Sequence, residues 1–456
     1  MREIEFSADQ LISCLLSLSE REPVCLLDSC GVSNLGSHLL IAGIKPLEVY
    51  EITTDDAEKT LAFFDEKTSG ENLACIFTIA YDFGLKLEKI KPRVKDFTVF
   101  TEPDAFLAAF DCLIIHDYNT GVTRLTGNEK RFDEIEKCLR AKANANLEID
   151  SDGKSSVTSN FTRDGYIVAI EEIQKRIRRG DTYQTNLTQQ LRARLSENLT
   201  AQKIFWQLRK SHPAPFAAFL KRYDDYVVSI SPERFLKVQG SKLKSQSRSI
   251  ETSPIKGTRP RGNTAAEDLH LKNELLSSEK DRAENTMIVD LLRNDIGRIC
   301  EFGSVKVEKL CELETHPTLF HLVSTVRGEL RENINFSDII KAVFPCGSIT
   351  GAPKIRTMQI IDRLETANRG LSMGAIGCSI PNFKFQIPDL KTHHSPLTTH
   401  HYFDLSVAIR TLVIKKREAI FNVGGGIVID SVPEDEYEET LVKAKALLRA
   451  LQADFH

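Results

Sequence analysis

The feature that most restricts the fold is a set of short apolar runs, each closed off by turn-forming residues. Val24-Cys25-Leu26-Leu27, Leu39-Leu40-Ile41-Ala42 and Ala74-Cys75-Ile76-Phe77-Thr78-Ile79-Ala80 are bounded by Gly, Pro, Asn and Ser, and Asp111 to His116 is another of the kind. Such runs read as strands, because aliphatic side chains fill a pleated surface while the flanking residues turn the chain. With few long helices between them, residues 1–155 predict a sheet-rich layer packed against something larger. Ile149 to Asn160, rich in Ser, Asp and Gly, is the candidate linker. It separates a front module, 1–155, from a second region, 156–456.

Helical periodicity follows. Thr162 is placed to cap a helix whose Tyr166, Ile167, Ile170, Ile173 and Ile177 share one face, stopped by Gly180. Gly180 to Leu187 reads as a turn feeding an alternating strand, and Tyr226 to Ile230 as a further strand. Lys280 to Arg298 predicts a helix buried along Ala283, Met287, Ile288, Leu291 and Leu292; the dense polar cluster Arg293-Asn294-Asp295 near its end is solvated charge only on the blander account. Leu405 to Ile414 predicts a strand carrying Arg410. Ala419 to Asp430 predicts another, interrupted by Gly424-Gly425-Gly426. Three glycines cost a strand stability, so a ligand or another backbone approaches there. A last helix from Pro433 buries Tyr437, Leu441, Ala444, Leu448 and Leu451.

Composition excludes several classes of function. Of the 456 residues, 41% are apolar and 27% charged, as in a soluble globular protein. A net charge of −4 without a block of like charges advertises no nucleic-acid surface. Met1 to Glu20 carries acids and no long apolar core, so it does not read as a signal peptide, and no window resembles a membrane span. The ten cysteines stand singly with no C-x-x-C pair, which predicts reduced thiols in the cytoplasm.

Chemistry concentrates at a few places. Lys256 lies in Ile250–Pro260, bracketed by Pro254 and Pro260 and followed by the Gly257-Thr258 turn. It reads either as a solvated turn lysine or as an amine made nucleophilic by desolvation. Phe344 to Lys354, Phe-Pro-Cys-Gly-Ser-Ile-Thr-Gly-Ala-Pro-Lys, offers backbone N–H groups to an anion without matching a phosphate-loop pattern. Glu284 on one predicted helix, with Glu436 and Glu439 on another, is either an oxygen-ligand site for a magnesium ion or a set of surface acids. His321 sits on an apolar strand.

In this order, Ser231-Pro232-Glu233-Arg234-Phe235, Pro254-Ile255-Lys256-Gly257-Thr258, Ala283-Glu284-Asn285, His321-Leu322-Val323-Ser324, Gly347 to Lys354, Ala408-Ile409-Arg410-Thr411 and Gly424-Gly425-Gly426 with Glu436 to Thr440 resemble the motifs of the chorismate-utilising enzymes. The resemblance covers about 165 to 450, and lysine at 256, where anthranilate synthases typically have alanine, points to the aminodeoxychorismate synthase component I branch. It implies an α+β fold, two antiparallel sheets packed as a sandwich with helices outside and the front module woven into the core. It implies conversion of chorismate and ammonia to 4-amino-4-deoxychorismate for folate synthesis, an amino transfer. Lys256 is then the covalent nucleophile, Glu233 the general acid and His321 a group that orients substrate or is only structural. Gly257, Thr258, Thr350, Arg410, Gly424, Gly425 and Gly426 bind chorismate, and Glu284, Glu436 and Glu439 hold Mg2+. No Cys-His-Glu glutaminase triad is visible, so ammonia is expected from a glutamine amidotransferase subunit. Ser33 and Tyr81 are the contacts implied for tryptophan, which the family's front module can hold. Anthranilate synthase component I, or a chorismate-binding regulatory subunit without turnover, are the alternatives. Two departures stand out: Cys378 replaces a tyrosine that contacts substrate, and the insert Ile380 to Tyr402 carries His393-His394 and His400-His401, a metal-like spacing or a polar loop.

Overall fold

A computed structural model describes residues 1–32, 38–97, 100–141, 147–148, 154–240, 248–315, 319–381, 385 and 401–455. The apolar runs become strands buried on both sides, which is why they are continuous rather than alternating. In Val24–Asp28, Leu26 faces a layer of helices while Cys25 faces the other sheet. Two antiparallel sheets result, of twelve and ten strands among the described residues. The larger runs Arg2–Ile4, Val122–Gly127, Cys112–Asp117, Leu39–Ile44, Val24–Asp28, Phe216–Lys221, Asp225–Ser231, Thr411–Lys415, Glu418–Ile427, Gln184–Arg194, Gly351–Ala352. The smaller runs Ile255–Pro260, Leu319–Glu329, Ser249–Ser253, Arg234–Gln239, His401–Val407, Ala375–Pro381, Ala74–Ile79, Ala105–Phe110, Glu48–Ile52.

Ile41, Ile115, Leu220 and Val413 of the first sheet meet Ile76, Phe106, Phe110 and Ile376 of the second, forming the middle of a sandwich. Helices cover both outer faces: Ala8–Leu18, Phe132–Arg140, Ala201–Ser211 and Pro433–Ala450 on the first, Ala57–Thr68, Glu279–Gly297 and Phe336–Val343 on the second. This is the expected α+β sandwich. Early and late segments share both sheets, since Val24–Asp28 pairs with Phe216–Lys221 and Ala74–Ile79 with Ala375–Pro381.

Several expectations change. The presumed linker contains Ser156–Ser159, a strand paired with Leu191 to Arg194; Val157 packs on the first core, which no polar linker would do. In keeping with the few long helices expected there, among the described residues before 155 two helices reach three turns, Ala8–Leu18 and Ala57–Thr68, the former started by a Ser7–Gln10 capping box. Gln184–Arg194 is buried almost throughout instead of alternating: Leu187 and Leu191 pack among helices on one face, while Thr188 and Gln190 bond Glu365 and Asn368 on the other. Glu279–Gly297 turns its faces otherwise than predicted: Ala283 is exposed, and Asn285, Ile288, Val289, Leu292, Asp295 and Ile296 are buried. Asp295 is paired with Lys354 at 2.6 Å and Arg298 at 2.7 Å. Its charge is therefore structural, and removing one buried partner costs about 3–5 kcal/mol. The histidines 393, 394 and 400 lie outside the described residues. All ten cysteines are unpaired, and among the described residues no helix is long and apolar enough to cross a membrane.

Candidate active site

Two corners where the chain passes from one sheet to the other lie side by side and set the acid in place. Asp225–Ser231 belongs to the first sheet and Arg234–Gln239 to the second, with Pro232 and Glu233 between. The second corner, Ala408 to Arg410, joins His401–Val407 to Thr411–Lys415 in the opposite direction. They are stitched together: Ser231 Oγ donates to the Val407 carbonyl at 2.7 Å, the Val407 amide to the Glu233 carbonyl at 3.1 Å, and the Ile230 amide to the Arg410 carbonyl at 3.1 Å. Arg410 is thus in a corner, not within a strand as expected, and takes a φ of 48° there. Its guanidinium makes no ion pair among the described residues, and burial lowers its pKa.

Glu233 is 5% exposed, and its Oε1 has no hydrogen-bond partner among the described residues. Burial pushes its pKa up to about 7, against the smaller lowering effects of the Ser348 hydroxyl, the Lys256 charge and the Ile255 amide. A carboxyl group in such a place keeps its proton near neutrality and can act as an acid.

Lys256 stands on Ile255–Pro260, paired with Leu319–Glu329 through an irregularity between Lys256 and Thr258. Gly257 supplies it with a φ of +81°, and a Cβ there would come within 2.9 Å of Leu275 and 3.0 Å of Asp281. The glycine therefore both bends the strand and lets it lie against the Ala265–Ser277 and Glu279–Gly297 helices. Lys256 is half-buried, with Nζ 3.5 Å from the Ser348 carbonyl. Thr258 Oγ1 is 2.9 Å from His321 Nδ1, which fixes the imidazole on the adjacent strand.

The carboxylates expected to hold a cation converge from two helices. Glu284 receives a hydrogen bond from Gln184 Nε2 at 3.4 Å, and Glu436 one from Ser431 Oγ at 2.7 Å. Glu439, half-exposed, pairs with Lys443 at 2.6 Å. Burial raises the Glu284 pKa, opposed by Lys256 and Lys280 and assisted by Asp281 and Glu436, so these charges share one space. Burial acts in the same sense on Glu439, but Lys443, Lys280 and Lys256 outweigh it and lower its pKa. Lys280 lies 3.5 Å from Glu436 Oε1 and answers the electrostatic demand of all three acids. Hard oxygen donors around a cationic group suit magnesium chemically, although among the described residues no three His, Cys, Asp or Glu side chains form a ready-made cage.

The remaining expected residues sort out by contact. A Cβ on Gly425 would sit 3.1 Å from Glu436 Oε2, and one on Gly426 2.1 Å from Gln184 Nε2, so these glycines make room for side chains of the acidic cluster. The Gly424 carbonyl accepts from Lys443 at 2.9 Å. Thr350 is fully buried and its hydroxyl donates to the Cys346 carbonyl at 3.0 Å, so it shapes the turn. The amides of Ile349 and Thr350 are likewise spent inside that turn instead of facing an anion. Ser33 lies outside the described residues. Tyr81 packs beneath Arg369 at 4.5 Å, away from the inter-sheet cavity of about 50 Å3 that Asp28, Phe216, Cys378 and Asp404 line. Cys378 is buried between the sheets and so faces that cavity.

Ser348, Lys280, Gln184 and Lys443 escaped the sequence reading. Ser348 lay inside the Gly347 to Lys354 motif and Gln184 inside Gly180 to Leu187, without a role for either, and Lys280 left a further signal by lying one turn before Glu284 on the same helical face.

The sequence matches the chorismate binding enzyme family over residues 23–388 and 397–449. It is 36% identical over 385 residues to aminodeoxychorismate synthase component 1 of Bacillus subtilis (strain 168), covering 82% of this chain and 76% of that one. To the Escherichia coli (strain K12) protein of the same name it is 34% identical over 440 residues, 94% of this chain and 88% of that one. The backbone is similar to the crystal structure of anthranilate synthase component I from Streptococcus pneumoniae, with a TM-score of 0.74 and 26% identity over 91% of this chain and 93% of that one.

Proposed function

The chain belongs to the chorismate-binding enzyme family, and from that premise we propose that it converts chorismate and ammonia to 4-amino-4-deoxychorismate. The observation that carries this reading is that Lys256 and the buried Glu233 meet at the Ser348 turn, with Lys256 Nζ 3.5 Å from the Ser348 carbonyl and Glu233 within the field of the Lys256 charge. Similarity to proteins named aminodeoxychorismate synthase component 1 supports it. The Lys256 amine attacks C2 of the ring, the double bond shifts, and the C4 hydroxyl leaves as water with the proton of Glu233. Ammonia then adds at C4, the double bond shifts back, the C2–N bond of the alkylated Lys256 ammonium breaks with its electrons returning to the amine, and the new C4 ammonium gives one proton back to the Glu233 carboxylate. Dividing the substitution in two replaces one difficult step with two easier ones.

Glu284, Glu439 and Glu436 would hold Mg2+, whose chemistry when bound is to neutralise a carboxylate of the substrate. The Arg410 fork, without an ion pair among the described residues, is suited to a second carboxylate, and Thr258 holds the His321 imidazole in one orientation from which it would orient the substrate. The word component in the relatives' names fits a separate subunit, and a glutamine amidotransferase would supply the ammonia.

Incubation with chorismate, Mg2+ and ammonium, followed by chromatography of the products, tests the reading. Aminodeoxychorismate is expected. Anthranilate formed without an added lyase would make this an anthranilate synthase. Omitting ammonia should leave a chorismate-derived mass on Lys256, and its absence under single-turnover conditions would remove the covalent step.

A further inference from the structure

Between the acid and the nucleophile lies a residue to which neither motif assigns a part. Ser348 sits in the short 3-10 turn Gly347–Ile349 and is 6% exposed. Its carbonyl lies 3.5 Å from Lys256 Nζ, and its hydroxyl reaches the Glu233 carboxylate. The turn has little freedom. Cys346 Sγ is 3.2 Å from the same hydroxyl, Thr350 Oγ1 ties the turn to the Cys346 carbonyl, and a Cβ on Gly347 would overlap Leu291 at 2.6 Å. One anchored residue therefore neighbours both reacting side chains, its backbone carbonyl at Lys256 and its hydroxyl acting on the Glu233 carboxyl group.

We propose that Ser348 is a positioning residue for this reaction, holding Glu233 and Lys256 in mutual register and following the Glu233 proton. The inference rests on the function proposed above. A hydroxyl can accept a hydrogen bond from the carboxylic acid and, by rotating, donate one to the carboxylate. As the acid proton passes to the departing C4 oxygen, the Ser348 O–H turns to donate to the new carboxylate, a stabilisation that grows only as charge develops. Among the described residues no other donor serves Oε1, which is buried without a partner. The titratable groups that face Glu233 are Lys256 from the neighbouring strand and Cys346 from the Ser348 turn; the Glu233 charge, after burial, is among the causes that raise the Cys346 pKa.

The experiment is the pH dependence of kcat/KM for aminodeoxychorismate formation in the wild type and in Ser348→Ala, Ser348→Cys, Ser348→Thr and Glu233→Gln. Because the acid must carry its proton, the wild type should lose activity as pH rises through a midpoint near 7, the value to which burial brings Glu233. Losing a hydrogen bond to the charged form should move that midpoint upward in Ser348→Ala and lower kcat about tenfold or more, with KM changed less than about twofold. Ser348→Thr, which keeps the hydroxyl, should restore both; Ser348→Cys, a weak donor of similar size, should behave like the alanine variant and serves if that one fails to fold. Should Glu233→Gln retain the wild-type alkaline limb, Glu233 is not the acid and the proposed mechanism fails. If Glu233→Gln loses the limb but neither the alanine nor the cysteine variant displaces it, Ser348 is only structural and the proposal is overturned.

Discussion

The two ends of the candidate site use one kind of residue to opposite ends. At the corner between the sheets, Glu233 is buried, has an oxygen without a partner among the described residues, and holds its proton up to about pH 7. Across the Glu279–Gly297 and Pro433–Ala450 helices, three more glutamates gather around Lys280 and Lys443, and Glu439 keeps its pKa below the ordinary value. Desolvation outweighs the nearby lysine charge at Glu233 and also at Glu284, and cations win only at Glu439, where water and Lys443 still reach the carboxylate. A single substrate lying between them would meet a proton donor on one side and an anionic, cation-seeking surface on the other.

The largest expected effect breaks the dry end. Lys256→Met should lower aminodeoxychorismate formation by at least about 10^3-fold, as loss of a covalent nucleophile does, and leave no adduct by mass spectrometry. Next, Glu233→Gln should cost about 10^2–10^4-fold in kcat in a stopped assay, the usual share of a general acid. The third tests burial itself. Because the folded protein binds the Glu233 proton more tightly than the unfolded chain, the wild type should lose stability relative to Glu233→Gln as pH rises from about 4.5 to about 7, and lose no more above that. Urea unfolding at both ends of the window should show a difference on the order of 3 kcal/mol. The smallest concerns the wet end: Lys280→Gln should tighten Mg2+ binding about tenfold by calorimetry without substrate, since an ammonium that competes for the same acids is gone. Unchanged affinity would mean that Lys280 and the cation do not share these carboxylates.

Much of this was legible before any coordinates. Strands buried on both faces leave continuous apolar runs, and Val24 to Leu27 and Ala74 to Ala80 were read correctly for that reason. The helix ends at Thr162 and Pro433 were legible because capping is a local matter. What failed depended on neighbours distant in sequence. Ser156–Ser159 looks like a linker until Gln184–Arg194 supplies the edge on which it pairs. Arg410 reads as a strand residue because nothing local reports that the chain changes sheets there. Nothing local tells a solvated Asp295 from a buried one, and Lys354, far along the chain, closes over it.

By itself, the sequence determined which residues were available: Lys256 on a glycine-bent, proline-bracketed segment, Glu233 after Ser231-Pro232, and acids spaced to share helical faces. Spacing along one strand or helix is a covalent fact, so motifs and periodicity can be read from it. Only the tertiary structure decided what each group is. Whether a glutamate is an acid or an anion, and whether Ser348 lies between Glu233 and Lys256, depends on dielectric and on distances between segments far apart in the chain. The packing of two sheets at their shared corners sets those distances, and with them the chemistry at Lys256.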